Sequence, residues 1–235
     1  MRRASGSTPP IDPFWAVRRP IQWHRIATKA NLPQPVLYIA SKRLLDMVGA
    51  FVLLIIFLPL MLFTALAIKL TSSGPVFFWQ WRLGLYGKPF RMLKFRSMHA
   101  YAQDERGLIE QLNEAEGPVF KILNDPRVTR LGRFLRRSSI DELPQVFNVL
   151  LGQMSLVGPR PPIPSEAIHY SPEERCRLLV PPGMTCLWQI CGRSSIPYPE
   201  WILLDLYYIE QRCFLLDLCI LMQTIPAVIS AKGAY

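Results

Sequence analysis

Residues 125–162 read DPRVTRLGRFLRRSSIDELPQVFNVLLGQMSLVGPRPP. Inside this run Arg133, Arg136 and Arg137 lead directly to Asp141 and Glu142. Adjacent carboxylates on a helix point about 100° apart, so they do not face each other across a sugar as a glycosidase pair does. They suit two different tasks: one attacks phosphorus, the other handles a proton or helps hold a metal. The arginines can bind phosphate oxygens in fork geometry. A plainer reading competes. Ser139-Ile140-Asp141-Glu142 matches the S-x-x-E capping box, and on spacing alone helix capping is the simpler account. With Ser139 as N-cap, Pro144 falls just past the first turn; with Asp141 as N-cap it falls inside the permitted turn. Either way the pair sits near a helix N-terminus, which favours anions. The spacing predicts two helical pieces between Arg127 and Leu151, closed by Gly152. GPRPPIP, 158–164, must be stiff and extended. Arg160 there is either a guanidinium held for phosphate or a surface arginine in a proline-rich turn.

Upstream, residues 44–68 form an apolar run long enough to span a membrane. Pro59 sits near its middle and would kink a helix. Both flanks are basic, with Lys42 and Arg43 before it and Lys69, Arg82, Lys88, Arg91, Lys94 and Arg96 after it. The positive-inside rule would keep both ends on one side, as in a re-entrant helix broken at Leu58-Pro59. A kinked single-pass helix fits the proline equally well. Ser73-Gly74-Pro75 stops the helix. VFFWQWRLG and KPFRMLKFRSM then predict two short strands joined through Tyr86-Gly87-Lys88. Lys94 and Arg96 alternate with Phe95, as headgroup anchors or substrate ligands. Residues 101–116 are acidic and read as an exposed helix or loop. Residues 1–40 form a basic, Pro-rich arm with an amphipathic piece around Trp15–Trp23 and no secretory signal. Downstream, Gly192-Arg193 resembles a turn carrying a basic residue. The apolar region 201–229 is interrupted by Asp217, Gln223 and Pro226, which favours packing on the core or in the membrane interface over a second span.

The 235 residues are 50% hydrophobic and carry a net charge of +10, a balance that suits anionic lipid and phosphate better than nucleic acid. Five cysteines fit no zinc spacing and read as reduced thiols. His24, His99 and His169 are too scattered to form a metal set, and no P-loop or dinucleotide fingerprint is present.

From Lys42 onward the motifs KRLLDMVGA, SSGPVFFWQWRLG, KFRSM, the 125–162 run, PPGMTCLWQICGR and LDLYYIE together resemble the bacterial sugar transferases, the monotopic polyprenyl-phosphate phosphoglycosyl transferases. The long 125–162 match outweighs the capping reading. The resemblance implies an α+β, mostly helical, membrane-embedded monotopic fold. Its parts would be an arm (1–40), a re-entrant helix broken at Leu58-Pro59 (41–73) and a small cytoplasmic catalytic domain with amphipathic interface helices (74–235), placed at the bacterial inner membrane.

The implied chemistry moves a sugar 1-phosphate from a UDP-sugar to undecaprenyl phosphate and releases UMP, as the first membrane step of exopolysaccharide assembly. Asp141 matches the nucleophile, which would carry the phosphosugar covalently. Glu142 matches the second member of the dyad, assisting deprotonation of the acceptor and the metal site. Mg2+ is the implied ion, held by Asp141 and Glu142. Arg136, Arg160, Lys94 and Arg193 are the implied phosphate and substrate ligands. The wording LWQ and LDLYYIE resembles members that transfer glucose or galactose phosphate. Cys186 stands where the family usually has glycine. The resemblance leaves room for a homo-oligomer.

Two rivals remain. A non-catalytic membrane adaptor of the same fold would use its carboxylates only as caps, but Asp141, Glu142, Arg136 and Arg160 are all intact. A nucleic-acid-binding protein would need a soluble domain, which the apolar run opposes.

Overall fold

The structure is a computed structural model. It describes residues 34–100 and 124–231, together with 102, 111, 113, 114, 117, 119, 122 and 233. The arm up to residue 33 and most of the acidic 101–116 stretch lie outside the described residues.

The fold is mostly helical, with two small two-stranded sheets. The apolar run forms one helix, α1, Val36–Thr71. At about 1.5 Å per residue it is roughly 54 Å long. It begins ahead of the 41–73 segment expected for it and ends at Ser72, whose N–H still reaches the Ile68 carbonyl. Leu58 and Pro59 lie inside this continuous helix, not at a break between two helices. Proline removes one helical hydrogen bond, and neighbouring turns can carry the chain past the gap. Only 17% of its most apolar 18-residue window is buried, far less than a core helix of a soluble domain requires.

The predicted strands pair as an antiparallel hairpin, β1 Phe77–Leu83 and β2 Pro89–Phe95, in register from Phe77 opposite Phe95 to Leu83 opposite Pro89. The turn between them uses Tyr86 at φ 56° and Gly87 at φ 70°. Side chains alternate across a strand. Phe78, Gln80 and Arg82 therefore share the inner face with Lys94, Met92 and Phe90, while Trp79, Trp81 and Arg91 share the outer one. Arg91 lies over both indoles, 4.5 and 5.2 Å from the ring centroids.

Helix α2, Arg130–Arg137, is capped by Thr129, whose hydroxyl accepts from Gly132 N–H at 2.9 Å. Gly132 packs so tightly on the Ser97 carbonyl that an added Cβ would lie 1.9 Å from its oxygen. A 3-10 turn, Ile140–Glu142, leads to α3, Gln145–Leu150. Gly152 follows at φ 76°, as a helix-closing glycine should. Strand β3, Ser155–Val157, then pairs in parallel with β4, Gly183–Thr185. Between them lies the short helix α4, Pro164–Ala167. Helices α5 (Leu187–Cys191), α6 (Tyr198–Gln211) and α7 (Phe214–Ser230) complete the described chain.

One core gathers Ala50 of α1 with Phe90, Met92, Val149, Leu156, Leu206 and Ile220. A second joins Met61 and Ile68 of α1 to Phe95 and Leu135. The domain also grips α1 by polar contacts near both ends. Towards the N-terminus, Asp46 accepts from the Ser155 hydroxyl and Leu156 N–H, each at 2.9 Å. Lys42 pairs with Asp217 at 3.3 Å, and Arg43 donates to the Val149 carbonyl. At the other end, Arg96 donates to the Ser72 carbonyl at 3.0 Å and to its hydroxyl at 2.7 Å. Between the grips, Leu44, Phe51, Ile55, Ile56, Leu62, Phe63 and Leu66 stay exposed.

Candidate active site

Asp141 and Glu142 sit on the 3-10 turn that α2 and α3 hold against the hairpin. The capping expectation fails here. Ser139 adopts a left-handed conformation, φ 58°, and makes no side-chain cap bond, while Glu142 turns away to distant partners. Buried Asn148 of α3 explains the placement. Its amide nitrogen donates to the Arg91 carbonyl at 2.8 Å and its oxygen accepts from Leu93 N–H at 3.0 Å, as a neighbouring strand would. That locks the turn beside Lys94.

Lys94 Nζ and Arg160 Nη2 both donate to Glu142 Oε1, each at 2.8 Å. Arg160 Nη1 is 3.5 Å from Oε2, leaving that oxygen weakly engaged. Burial alone would raise the Glu142 carboxyl, but Arg160 and Lys94 outweigh it and hold the group far below the usual carboxylate range. In this state Glu142 is an ionised anchor for two cations and not a proton acceptor near neutrality. Asp141 differs. It is buried, at 6% exposure, yet accepts no hydrogen bond from any described residue. Burial, together with the Glu142 charge, lifts its carboxyl to about 6 against the opposing pull of Lys94. Two adjacent carboxylates are thus pushed apart in acidity, the pattern expected of a pair with separate tasks.

Arg136 donates through Nε to the Ser97 hydroxyl at 2.9 Å, and its charge bears on both Asp141 and Glu142. Arg193, in a left-handed conformation at φ 53°, lines the same cleft and feels the Glu142 charge. Asp141, Glu142, Lys94, Arg160, Arg136 and Arg193 therefore share one cleft of about 1710 Å³. Leu58 and Pro59 belong to α1 and not to this group. The cleft continues along apolar side chains of α1 and α7, among them Leu53, Phe57, Leu60, Leu221, Ile225 and Val228. Cys186 is buried in extended backbone, φ −154°, so its position makes no demand for glycine. Sequence reasoning missed Ser97, Asn148 and Arg82. Arg82 had a legible signal: a basic residue at an inward position of an alternating strand.

A hard cation such as Mg2+ takes one or two protein carboxylates and leaves its other positions to substrate phosphates and water. Among the described residues no three His, Cys, Asp or Glu side chains could hold a metal on their own. Asp141 and the weakly engaged Oε2 of Glu142 fit the sparser arrangement. Chemically, the site offers a carboxylate that accepts no hydrogen bond from the described residues and lies among fixed cations. Such a group can attack an electrophilic phosphorus whose charge those cations neutralise.

A family model described as bacterial sugar transferase matches residues 37–231. The galactosyl transferase CpsE of Streptococcus agalactiae serotype III (strain NEM316) is 40% identical over 198 residues, covering 84% of this chain and 44% of the relative. The undecaprenyl-phosphate galactose phosphotransferase of Salmonella typhimurium is 40% identical over 203 residues, covering 83% and 41%. The UDP-glucose:undecaprenyl-phosphate glucose-1-phosphate transferase of Caulobacter vibrioides is 43% identical over 208 residues, covering 83% and 72%. The chain thus spans less than half the length of the first two relatives and most of the third.

Proposed function

Since this chain belongs to the bacterial sugar transferase family, we propose that it moves a sugar 1-phosphate from a UDP-sugar to undecaprenyl phosphate and releases UMP. The observation that carries the reading is the contrast inside the dyad: Glu142 is paired with Lys94 and Arg160, while Asp141 is buried in the same cleft and accepts no hydrogen bond from the described residues. In our reading an Asp141 oxygen attacks the sugar-bearing phosphorus. An aspartyl–phosphorus bond forms, the phosphoanhydride bond breaks, and its electron pair leaves with UMP. A phosphate oxygen of undecaprenyl phosphate then attacks the same phosphorus and frees the Asp141 carboxylate.

Lys94, Arg160, Arg136 and Arg193 neutralise the diphosphate and steady the transferred group. As phosphate oxygens draw Lys94 and Arg160 away, Glu142 loses its counter-charges and its proton affinity rises, which suits it to take a proton from the acceptor. Mg2+, bound through Asp141 and Glu142, would supply further charge neutralisation at the diphosphate. The donor is a hexose, glucose or galactose, in keeping with the sugars in the relatives' names.

The apolar walls between α1 and α7 suit a polyprenyl chain entering from lipid. We take α1 as bent at Pro59 without losing its helical turns, and so re-entrant on the cytoplasmic face of the inner membrane. The grips near its two ends, Asp46 on Ser155 and Arg96 on Ser72, support this, because a straight crossing would put roughly 30 Å of hydrocarbon between them. Protein in nanodiscs with Mg2+, undecaprenyl phosphate and a panel of UDP-sugars tests the reading. UMP release with a hexose donor, abolished by Asp141→Asn, is expected. No release with any donor from folded protein would refute it and favour a non-catalytic adaptor.

A further inference from the structure

Arg160 stands in a loop that cannot hold itself. Pro159, Pro161 and Pro162 have no N–H to donate. Proline fixes φ, and a following proline confines ψ to the extended region, yet the latitude left within that region still aims each carbonyl and sets the path of the chain. In this structure each carbonyl from Pro159 to Pro162 accepts from a different outside donor. Gly183 N–H reaches Pro159 O at 2.9 Å, and Leu83 N–H reaches Pro162 O at 3.0 Å. The two middle carbonyls are held by arginines: Arg177 Nη2 donates to Arg160 O at 3.1 Å, and Arg82 Nη1 donates to Pro161 O at 2.9 Å.

Both arginines are themselves fixed. Arg82 Nη2 donates to Gln80 Oε1 at 2.7 Å on the inner face of β1. Arg177 is fully enclosed. It pairs with Asp205 at 2.8 Å, donates to the Tyr170 hydroxyl and stacks near Trp201. Glycines make the close approach possible: an added Cβ on Gly183 would sit 2.1 Å from Gly158 N.

We propose that Arg82 and Arg177 are positioning residues that set the Arg160 guanidinium for the transferred phosphate by clamping the successive carbonyls of Arg160 and Pro161. The proposal rests on the functional reading above for its substrate. Neither arginine is asked to touch that substrate. Arg82 is the one to test, because removing Arg177 would strand Asp205 in the core.

The experiment is a double-mutant cycle on the full chain in nanodiscs with Arg82→Met and Arg160→Lys, alongside hydrogen exchange of residues 155–163 without substrate. Arg82→Met should lower donor kcat/KM at least tenfold in the wild-type background. In the Arg160→Lys background it should lower it less than threefold, because Arg82 acts through Arg160. Exchange at Gly158 and Arg160 should rise while Tm holds. Equal losses in both backgrounds, or unchanged exchange, would overturn the proposal. Should wild-type protein release no UMP, the functional reading fails, and the exchange result still decides whether Arg82 fixes the loop.

Discussion

Two groups of buried carboxylates invite comparison. At the α1 grip, Asp46 accepts from Ser155 and Leu156, and Asp217 accepts from Tyr208 at 2.7 Å and Tyr38 at 3.2 Å while facing Lys42. In the cleft, Glu142 is bound by two cations and Asp141 by no hydrogen-bond donor among the described residues. A satisfied buried carboxylate has already exchanged water for fixed donors, and its energy is committed to structure. A carboxylate that opens on a cleft without such donors keeps its oxygens available to form a new bond. The same residue type fastens the fold in one place and is left reactive in the other.

The sharpest way to break the contrast is Asp141→Asn. Turnover should fall on the order of 10⁴-fold or more, as for loss of a nucleophile. The protein should at the same time become more stable at neutral pH. Asp141 titrates near 6 when folded and near its ordinary value when unfolded, so its ionisation costs the folded state about 2–3 kcal/mol above pH 6. A Tm that falls in this variant would place Asp141 among the structural carboxylates.

Asp217→Asn probes the opposite member. It removes the nearer of the two carboxylates facing Lys42, Asp46 remaining at 3.9 Å, and should cost about 1–3 kcal/mol, read as a lower Tm. Activity per folded molecule should hold. Loss of activity in fully folded protein would erase the distinction between grip and site.

The gentlest test is pH. Asp141 must be ionised to attack, so donor kcat/KM should drop about tenfold per pH unit below 6. The Asp141 contribution to stability runs the other way, improving as pH falls from about 6 towards 4. A rate that stays flat down to pH 4.5 would place the reactive group elsewhere.

Much of this was legible in the sequence. Alternation marked both strands, Ser73-Gly74-Pro75 marked the helix end, and Gly152 closed α3, because each follows from local backbone preference. On spacing alone Glu142 also fitted a helix cap, for the same reason: its partners Lys94 and Arg160 lie 48 and 18 residues away, beyond any local rule. Asp217 registered only as an interruption in an apolar helix. A charge in such a setting has a buried partner, but only the fold identifies it as Lys42. Asn148 gave no sign at all, since bridging a strand edge requires that the strand be there.

The hairpin register carries one more consequence. Lys94 reaches the cleft because it lies an odd number of places from its outward-facing neighbour Arg91, and the seven-residue pairing fixes that count. Parity, more than residue identity, delivers the ammonium. A single-residue insertion within β2 would turn Lys94 towards Trp79 and Trp81, whereas a two-residue insertion would restore its direction. The turn between the strands is constrained at its two left-handed positions, Tyr86 and Gly87, and the strands can change length only in steps of two.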